Sequence, residues 1–307
     1  MRILFLGAGA TGGYFGGRLM EAGADVTFLV RPRRLAQLRE NGLVVESPAG
    51  NIRLPAQTIS KARPGYDLVV LTSKAYDLDG AIEAIRPAME PHTLVMPLLN
   101  GLNHIDLLDA AFGRERVLGG MCHIPITLEP DGTIRHLSPV HRLAFGARSP
   151  GQEAMVGRLA EAFRPTPVDW RRSDAIMQDL WEKFVFLATL AGATCLMRAP
   201  VRAIVSQPGG EGFLRALFAE AQATALAEGH PPSPASVTDS LDQLTDKDSA
   251  LTASMMRDVV RGHRVEGEHI IGDMVRRGER HGLSMTLMSL ALLHLRAYEA
   301  ERLRRAG

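Results

Sequence analysis

The chain has 307 residues, 46% apolar and 22% charged, with 35 Lys and Arg against 34 Asp and Glu, so its formal net charge is +1. That length accommodates two hydrophobic cores, and the balanced charge gives no reason to expect nucleic acid or an anionic membrane as partner. Two cysteines, Cys122 and Cys195, make neither a disulfide framework nor a CxxC motif, which fits a reducing cytoplasm. The opening "MRILFLGAGATGG" is too short an apolar run for a secretory signal, and no stretch is expected to reach the apolar length of a membrane span.

The first half alternates strand and helix signals, the pattern of a parallel α/β sheet. "RILFL" (2–6) predicts a central strand, "TGGYFGGRLMEAG" (11–23) a helix closed by Gly23, "DVTFLV" (25–30) a second strand, and "RPRRLAQLRENG" a short helix ending at Gly42. "LVVES" and "NIRLP" flank "PAG" and predict a hairpin. "DLVVLTS" (67–73), "TLVMPLL" (93–99) and "RVLGGMCHI" (116–124) add strands, and "DGTIRHL" with "HRLAFGA" predicts another hairpin. From about Ser173 the pattern is helical: 174–198, 210–228, 236–246, 250–262, 265–282 and 286–305. "RPTPVDWRR" interrupts both patterns near 165–172, so the expected domains are 1–170 and 171–307, with the interdomain cleft as the default place for a small ligand.

"GAGATG" follows the first strand and opens a helix. In that context Gly7 makes the tight turn, Gly9 lets a pyrophosphate approach the backbone, and Gly12 lets helix pack on strand. Gly7, Ala8, Gly9, Ala10, Thr11 and Gly12 are therefore the expected dinucleotide loop, with the phosphates on free N–H groups at the helix start. The fold class this implies is a Rossmann-type, doubly wound parallel sheet followed by an all-α C-terminal domain. Where NAD-binding chains carry a carboxylate after the second strand, this one has Arg31, followed by Arg33 and Arg34. A guanidinium forks onto a 2′-phosphate that a carboxylate would repel, which favours NADP(H) over NAD(H); the competing reading is a solvated basic turn.

"LWEKFVFLATLAGATCL" (180–196) is an apolar helix with one cation, Lys183. An ammonium leaving water is costly, so either Lys183 snorkels to solvent or it faces a cleft and handles a proton. Lys74 in "TSKAYD" and Asn100 in "LLNGLN" follow strands, at the sheet edge where ligands bind. "SMMRDVVRGHRVEGE" (254–268) carries Ser254, Asp258 and Glu266. Each has a structural reading too: surface charge, turn or cap, helix-start carboxylate. No His/Cys cluster has metal-ligand spacing; His104, His123 and His263 are read as structural.

The order of GxGxxG, "SKA", "NG", "WEK" and "SM…E" resembles the ketopantoate reductase family (2-dehydropantoate 2-reductases) over essentially the whole chain. The resemblance implies that Lys183 is the general acid and that Lys74 and Asn100 line the nicotinamide and substrate positions. It also implies that Ser254 contacts substrate, that Glu266 lies near cofactor and lysine, and that Gly7 to Gly12 and Arg31 contact NADP. Hydride reaching a 2-oxo carbon leaves charge on oxygen, which an ammonium both stabilises and protonates.

Where the family carries asparagines one and two turns after the lysine, and a third polar residue past the helix, this chain has Leu187, Ala191 and Val201. Residues four apart share a helix face, so that stripe has lost hydrogen-bonding groups that discriminate substrates. The expected activity is NADPH-dependent reduction of a 2-oxo acid, with 2-dehydropantoate first and a less polar 2-oxo acid second. A non-catalytic NADP-binding sensor is the rival from another class. Arg198 lies roughly 22 Å along a continuous helix from Lys183, too far to share a small substrate, and Arg257 is the better candidate for a carboxylate. The apolar face of 284–303 reads as core, and is also compatible with a homodimer.

Overall fold

The computed structural model describes residues 1–306. In the first half the elements run β1 (Arg2–Leu6), α1 (Ala10–Glu21), β2 (Asp25–Leu29), α2 (Pro32–Asn41), β3 (Leu43–Glu46), β4 (Ile52–Leu54), β5 (Gln57–Ile59), β6 (Leu68–Leu71), α3 (Leu78–Ile85), β7 (Leu94–Pro97) and α4 (Asn103–Phe112). They continue with β8 (Gly119–His123), β9 (Ile126–Leu128), β10 (Ile134–His136), β11 (Arg142–Gly146), α5 (Glu153–Phe163) and β12 (Asp169–Arg172). The helical half runs α6 (Ile176–Met197), α7 (Val201–Val205), α8 (Gly210–Ala227), α9 (Pro234–Thr245), α10 (Ser254–Val260), α11 (Gly267–Arg280) and α12 (Thr286–Ala306).

β1 and β6 are continuous apolar runs because both faces of a central parallel strand are covered, and Ile3, Leu4, Val69 and Val70 are sealed from solvent. The main sheet is all-parallel in the order β5-β2-β1-β6-β7. Chain order therefore reverses between β1 and β6, which is the switch point where a ligand crevice forms at the carboxyl edge of such sheets. The hairpin of β3 with β4 forms as expected. The expected pairing of 131–137 with 141–147 does not form. β10 instead joins β3 and β9 in a four-stranded sheet, while β11 pairs with β8 and β12 in a separate three-stranded one. β10 forms its hairpin with the preceding strand β9 and takes the distant β3 on its other side, and β11 lies between β8 and β12; alternation of residues does not encode this choice of partners.

Two compact units emerge, residues 1–99 with 104–176, and residues 100–103 with 177–307. The division falls six residues later than the composition shift at 170 indicates, because "DWRR" is strand β12, paired in parallel with β11. In the first unit Arg148, its side chain 3% exposed, forks onto Asp109 at 2.6 and 2.7 Å and so ties α4 to the segment that leaves β11.

In the helical unit α6 is 22 residues long and apolar enough by length and composition to cross a membrane, contrary to the expectation that no stretch reaches this range. Its most apolar window is 67% buried within the fold, as in a core helix. The helix runs straight through Gly192, where an added Cβ would lie 3.3 Å from Leu217 and 3.6 Å from Ala291, so α8 and α12 pack close to its backbone. It stops at Arg198, which takes a left-handed φ of +51°. The helix expected over 250–262 begins only at Ser254. Residues 249–251 run alongside α7 instead, where the carbonyls of Leu251 and Ser249 accept from Val201 N and Arg202 N. On α12, Met288, Ala291, Leu292 and Leu295 are buried while Leu290 and Leu293 face outward.

Asp109→Ala would strand the Arg148 guanidinium in the interior, so a loss of about 3 kcal/mol in urea-unfolding free energy is expected. Asp109→Asn, which keeps an acceptor, should lose visibly less.

Candidate functional site

The glycine loop is built by sterics. Gly7 has a φ of +97°, a region L-residues avoid, and its N–H donates to Leu29 O at 2.9 Å, which locks the loop to β2. A Cβ on Gly12 would sit 2.4 Å from Gly7 O and 2.3 Å from Thr72 Oγ1, so only glycine lets α1 start against the strand edge. A Cβ on Gly9 would meet nothing within 4 Å. The N-terminus of α1 has no side-chain cap and no acidic residue in its first turn, so Ala10, Thr11 and Gly12 present N–H groups to an anion. These three positions fit a dinucleotide pyrophosphate, and Gly9 leaves it room.

Gly7, Ala8 and Gly9 line a cavity of about 1080 Å³ with Arg31, Arg33, Arg34, Ser60, Lys61, Thr72, Ser73 and Asp77. The three arginines do different jobs. Arg34 is structural: its Nε donates to Ala8 O at 2.8 Å and its Nη1 to Gly132 O at 2.7 Å, which pins the loop to a surface turn. Burial lowers its pKa, opposed by the charge of Asp131. Arg31 is 81% exposed and gives Nη2 to Asp77 Oδ2 at 2.8 Å. Arg33 is exposed. Lys61 has no clear signal in the sequence, because β5, the strand that precedes it, is only three residues long. β5 runs parallel to β2, and Val30 N donates to Ile59 O at 3.0 Å, so Ser60 and Lys61 leave the same sheet edge as Arg31. Lys74 is exposed, caps a short 3-10 turn and does not line this cavity.

The helical unit places Lys183 by anchoring its neighbours. Trp181 is buried, stacks on His230 with ring centroids 5.7 Å apart and lies under the Arg277 guanidinium at 5.5 Å. Glu182 Oε1 accepts from Ser233 N at 2.9 Å and Gln178 Nε2 at 3.2 Å. With both neighbours fixed, the rotation of α6 is set and Lys183, half-buried, gives Nζ to Asn100 Oδ1 at 3.2 Å. Asn100 is held in turn. Gly101 has a φ of +80°, and a Cβ there would lie 2.9 Å from His269 O, while Asn103 Nδ2 and His269 Nδ1 are 3.2 Å apart. His269 lies in the first turn of α11, whose cap is the buried Glu266, and His269 N and Ile270 N both donate to Glu266 O at 3.1 Å. The Asn–Gly corner thus lies against both α6 at Lys183 and the α11 turn that Glu266 opens.

Other expected positions fall elsewhere. Ser254 is the half-buried first residue of α10, tied through Ala253 N to Thr194 Oγ1, three turns beyond Lys183 on α6. Arg257 is exposed and bonds to Thr252, not to Ser254. Ala191 and Val201 are sealed from solvent, so of the three apolar replacements only Leu187 keeps accessible surface. Cys195 is buried, and desolvation with the nearby charge of Asp258 pushes its thiol up to about 12, which makes it inert at neutral pH. Among the described residues no His, Cys, Asp and Glu group could hold a metal ion.

Residues 3–150 match the family model for ketopantoate reductase PanE/ApbA, and residues 175–299 match that for the ketopantoate reductase PanE/ApbA C terminal. An uncharacterized oxidoreductase, YkpB, of Bacillus subtilis is 37% identical, over 98% of this chain and all of its own. The crystal structure of a 2-dehydropantoate 2-reductase from Geobacter metallireducens superposes with a TM-score of 0.87 at 30% identity, covering 97% of this chain and 99% of that one. The ternary structure of D-mandelate dehydrogenase with NADH and anilino(oxo)acetate shares the fold, with a TM-score of 0.88 at 20% identity, over 98% of this chain and 99% of that one.

Gly101→Ala should force the corner away from His269 O. The expected result is a loss of about 2 kcal/mol in stability from strained φ and overpacking, measurable by thermal unfolding, with weakened support for Asn100.

Proposed function

Because the chain belongs to the ketopantoate reductase family, we propose that it reduces a 2-oxo acid to the 2-hydroxy acid with NADPH, Lys183 serving as general acid. The observation that carries this reading is the Lys183 Nζ to Asn100 Oδ1 hydrogen bond of 3.2 Å, on a helix whose rotation Trp181 and Glu182 fix. An ammonium is a three-donor group, and Asn100 Oδ1 sets the direction in which one of those donors points.

The glycine loop from Gly7 to Gly12 would hold the pyrophosphate of a nicotinamide dinucleotide, which would supply the hydride when bound. Lys183 then stabilises the charge that gathers on the substrate oxygen and transfers the proton from Nζ, while Asn100 Oδ1 orients the ammonium before and after. Glu266, buried at the start of α11, is assigned the role of positioning this group through the Asn–Gly corner. Lys61, Arg31 and Arg33 supply positive charge for a 2′-phosphate, which supports NADPH as the cofactor. 2-Dehydropantoate is the leading substrate. A less polar 2-oxo acid is the second, favoured by Leu187, whose accessible side chain one turn from Lys183 offers no hydrogen bond. The free cysteines and the burial of α6 support a cytoplasmic enzyme.

Lys183→Ala should lower turnover by orders of magnitude in an assay of NADPH absorbance with 2-dehydropantoate and a panel of 2-oxo acids, while NADPH affinity by calorimetry stays near that of the parent chain. Near-normal turnover in the variant would remove Lys183 as the acid. Silence of the parent chain across the panel, with the cofactor bound, would point to a sensor. For the cofactor, adenosine 2′,5′-bisphosphate should bind about tenfold tighter than 5′-AMP, the worth of one charge-assisted hydrogen bond. Lys61→Gln should shrink that ratio; equal affinities in the parent chain would argue for NADH.

A further inference from the structure

The cation that the reaction leaves unused is Arg198. It ends α6, and it is the only non-glycine residue with positive φ among the described residues. A left-handed residue just past a helix is commonly glycine, and an L side chain there costs about 1 kcal/mol. The strain is therefore retained where glycine would relieve it. The side chain is also uncommitted, since no hydrogen bond or ion pair joins its guanidinium to the described residues.

Arg198 lines a cavity of about 670 Å³ wholly within the helical unit, together with Val259 and Val260 at the end of α10 and His294, Ala297 and Tyr298 on α12. The other charges of this wall are internally paired: Arg302 with Glu299 at 2.9 Å, and Arg305 with Glu301 at 3.2 Å. One positive charge is left over, that of Arg198. His294 Nε2 is shut off from solvent with no hydrogen-bond partner, and burial with the neighbouring Arg198 charge keeps this imidazole neutral to lower pH than usual. Val259, Val260 and Ala297 give the cavity apolar lining, and Val260 is 67% exposed. Because α6 is unbroken from Lys183 to Met197, this pocket lies roughly 22 Å along the helix from the proposed acid. A ligand here is separate from the reacting substrate.

We infer that this cavity is a second binding site, for a small organic oxyanion whose carboxylate or phosphate pairs with Arg198 while an apolar body rests on Val259, Val260 and Ala297. The volume suits a small organic molecule, which is larger than a bare inorganic ion. The same wall is tied to the segment that leads into Glu266. Tyr298 OH donates to His263 O at 2.6 Å, and Val265 N donates to Glu299 Oε1 at 2.8 Å. An occupant therefore bears on the residues that precede α11.

The test uses the full chain and two probes, phenyl phosphate and benzoate, at constant ionic strength with chloride and inorganic phosphate as controls. The His294 ring resonances, assigned with His294→Gln, should shift saturably with at least one probe. Its pKa should rise as the Arg198 charge is neutralised, with Glu301, Arg302, Arg305, Tyr298 and Asp258 the other titratable or charged groups nearby. Arg198→Gly removes the strained side chain, so it should fold with equal or higher melting temperature and yet lose the response. Absence of a saturable shift with either probe, or an undiminished shift in Arg198→Gly, would overturn the inference. Because the readout is a ring in the helical unit, neither result depends on the reductase reading.

Discussion

A lone ammonium on an apolar core helix has to be given a direction, and much of the helical unit around it serves that constraint. The residues that follow Lys183 on α6, Phe184 to Ala188, are all apolar and give it no direction of their own. Direction comes from the two preceding side chains. Trp181 is sealed between an imidazole and a guanidinium, and Glu182 is held by a backbone amide at the start of another helix. With 100° between successive residues, fixing two leaves the third no freedom of azimuth. Asn100 completes the arrangement, and it is steady because Gly101 lets the corner press onto the α11 backbone.

The cofactor cavity follows a comparable division of labour. Arg34 is consumed in joining the glycine loop to a turn, and Asp77 takes part of the charge of Arg31. The cations left freer, Arg33 and Lys61, come from two different strand ends that the parallel pairing of β2 and β5 brings to one edge. Recognition at this edge is thus shared, and no single arginine carries it.

Much of this organisation is legible in the sequence because it is local. The glycine spacing, the apolar central strands and the periodicity of the long helices each depend on neighbours within a turn or a strand. What is not legible depends on distant partners. β10 and β11 have good hairpin signals and pair elsewhere, and β5 is too short to show alternation at all. The apolar replacements at 187, 191 and 201 look equivalent in the sequence, yet two are interior packing and one keeps surface, a distinction that only tertiary burial makes. Likewise the role of Arg34 could not be separated from those of Arg31 and Arg33 before its acceptors on Ala8 and Gly132 were known.

The assignment of residues 100–103 to the helical unit has a topological consequence. The backbone passes from one unit to the other three times, after Leu99, after Asn103 and after Ile176, so no single cut separates the two units cleanly. Neither half is a contiguous gene segment. A fragment beginning at Met177 would encode the helices while omitting the four-residue graft that receives the lysine, and the reciprocal fragment would carry that graft without its host.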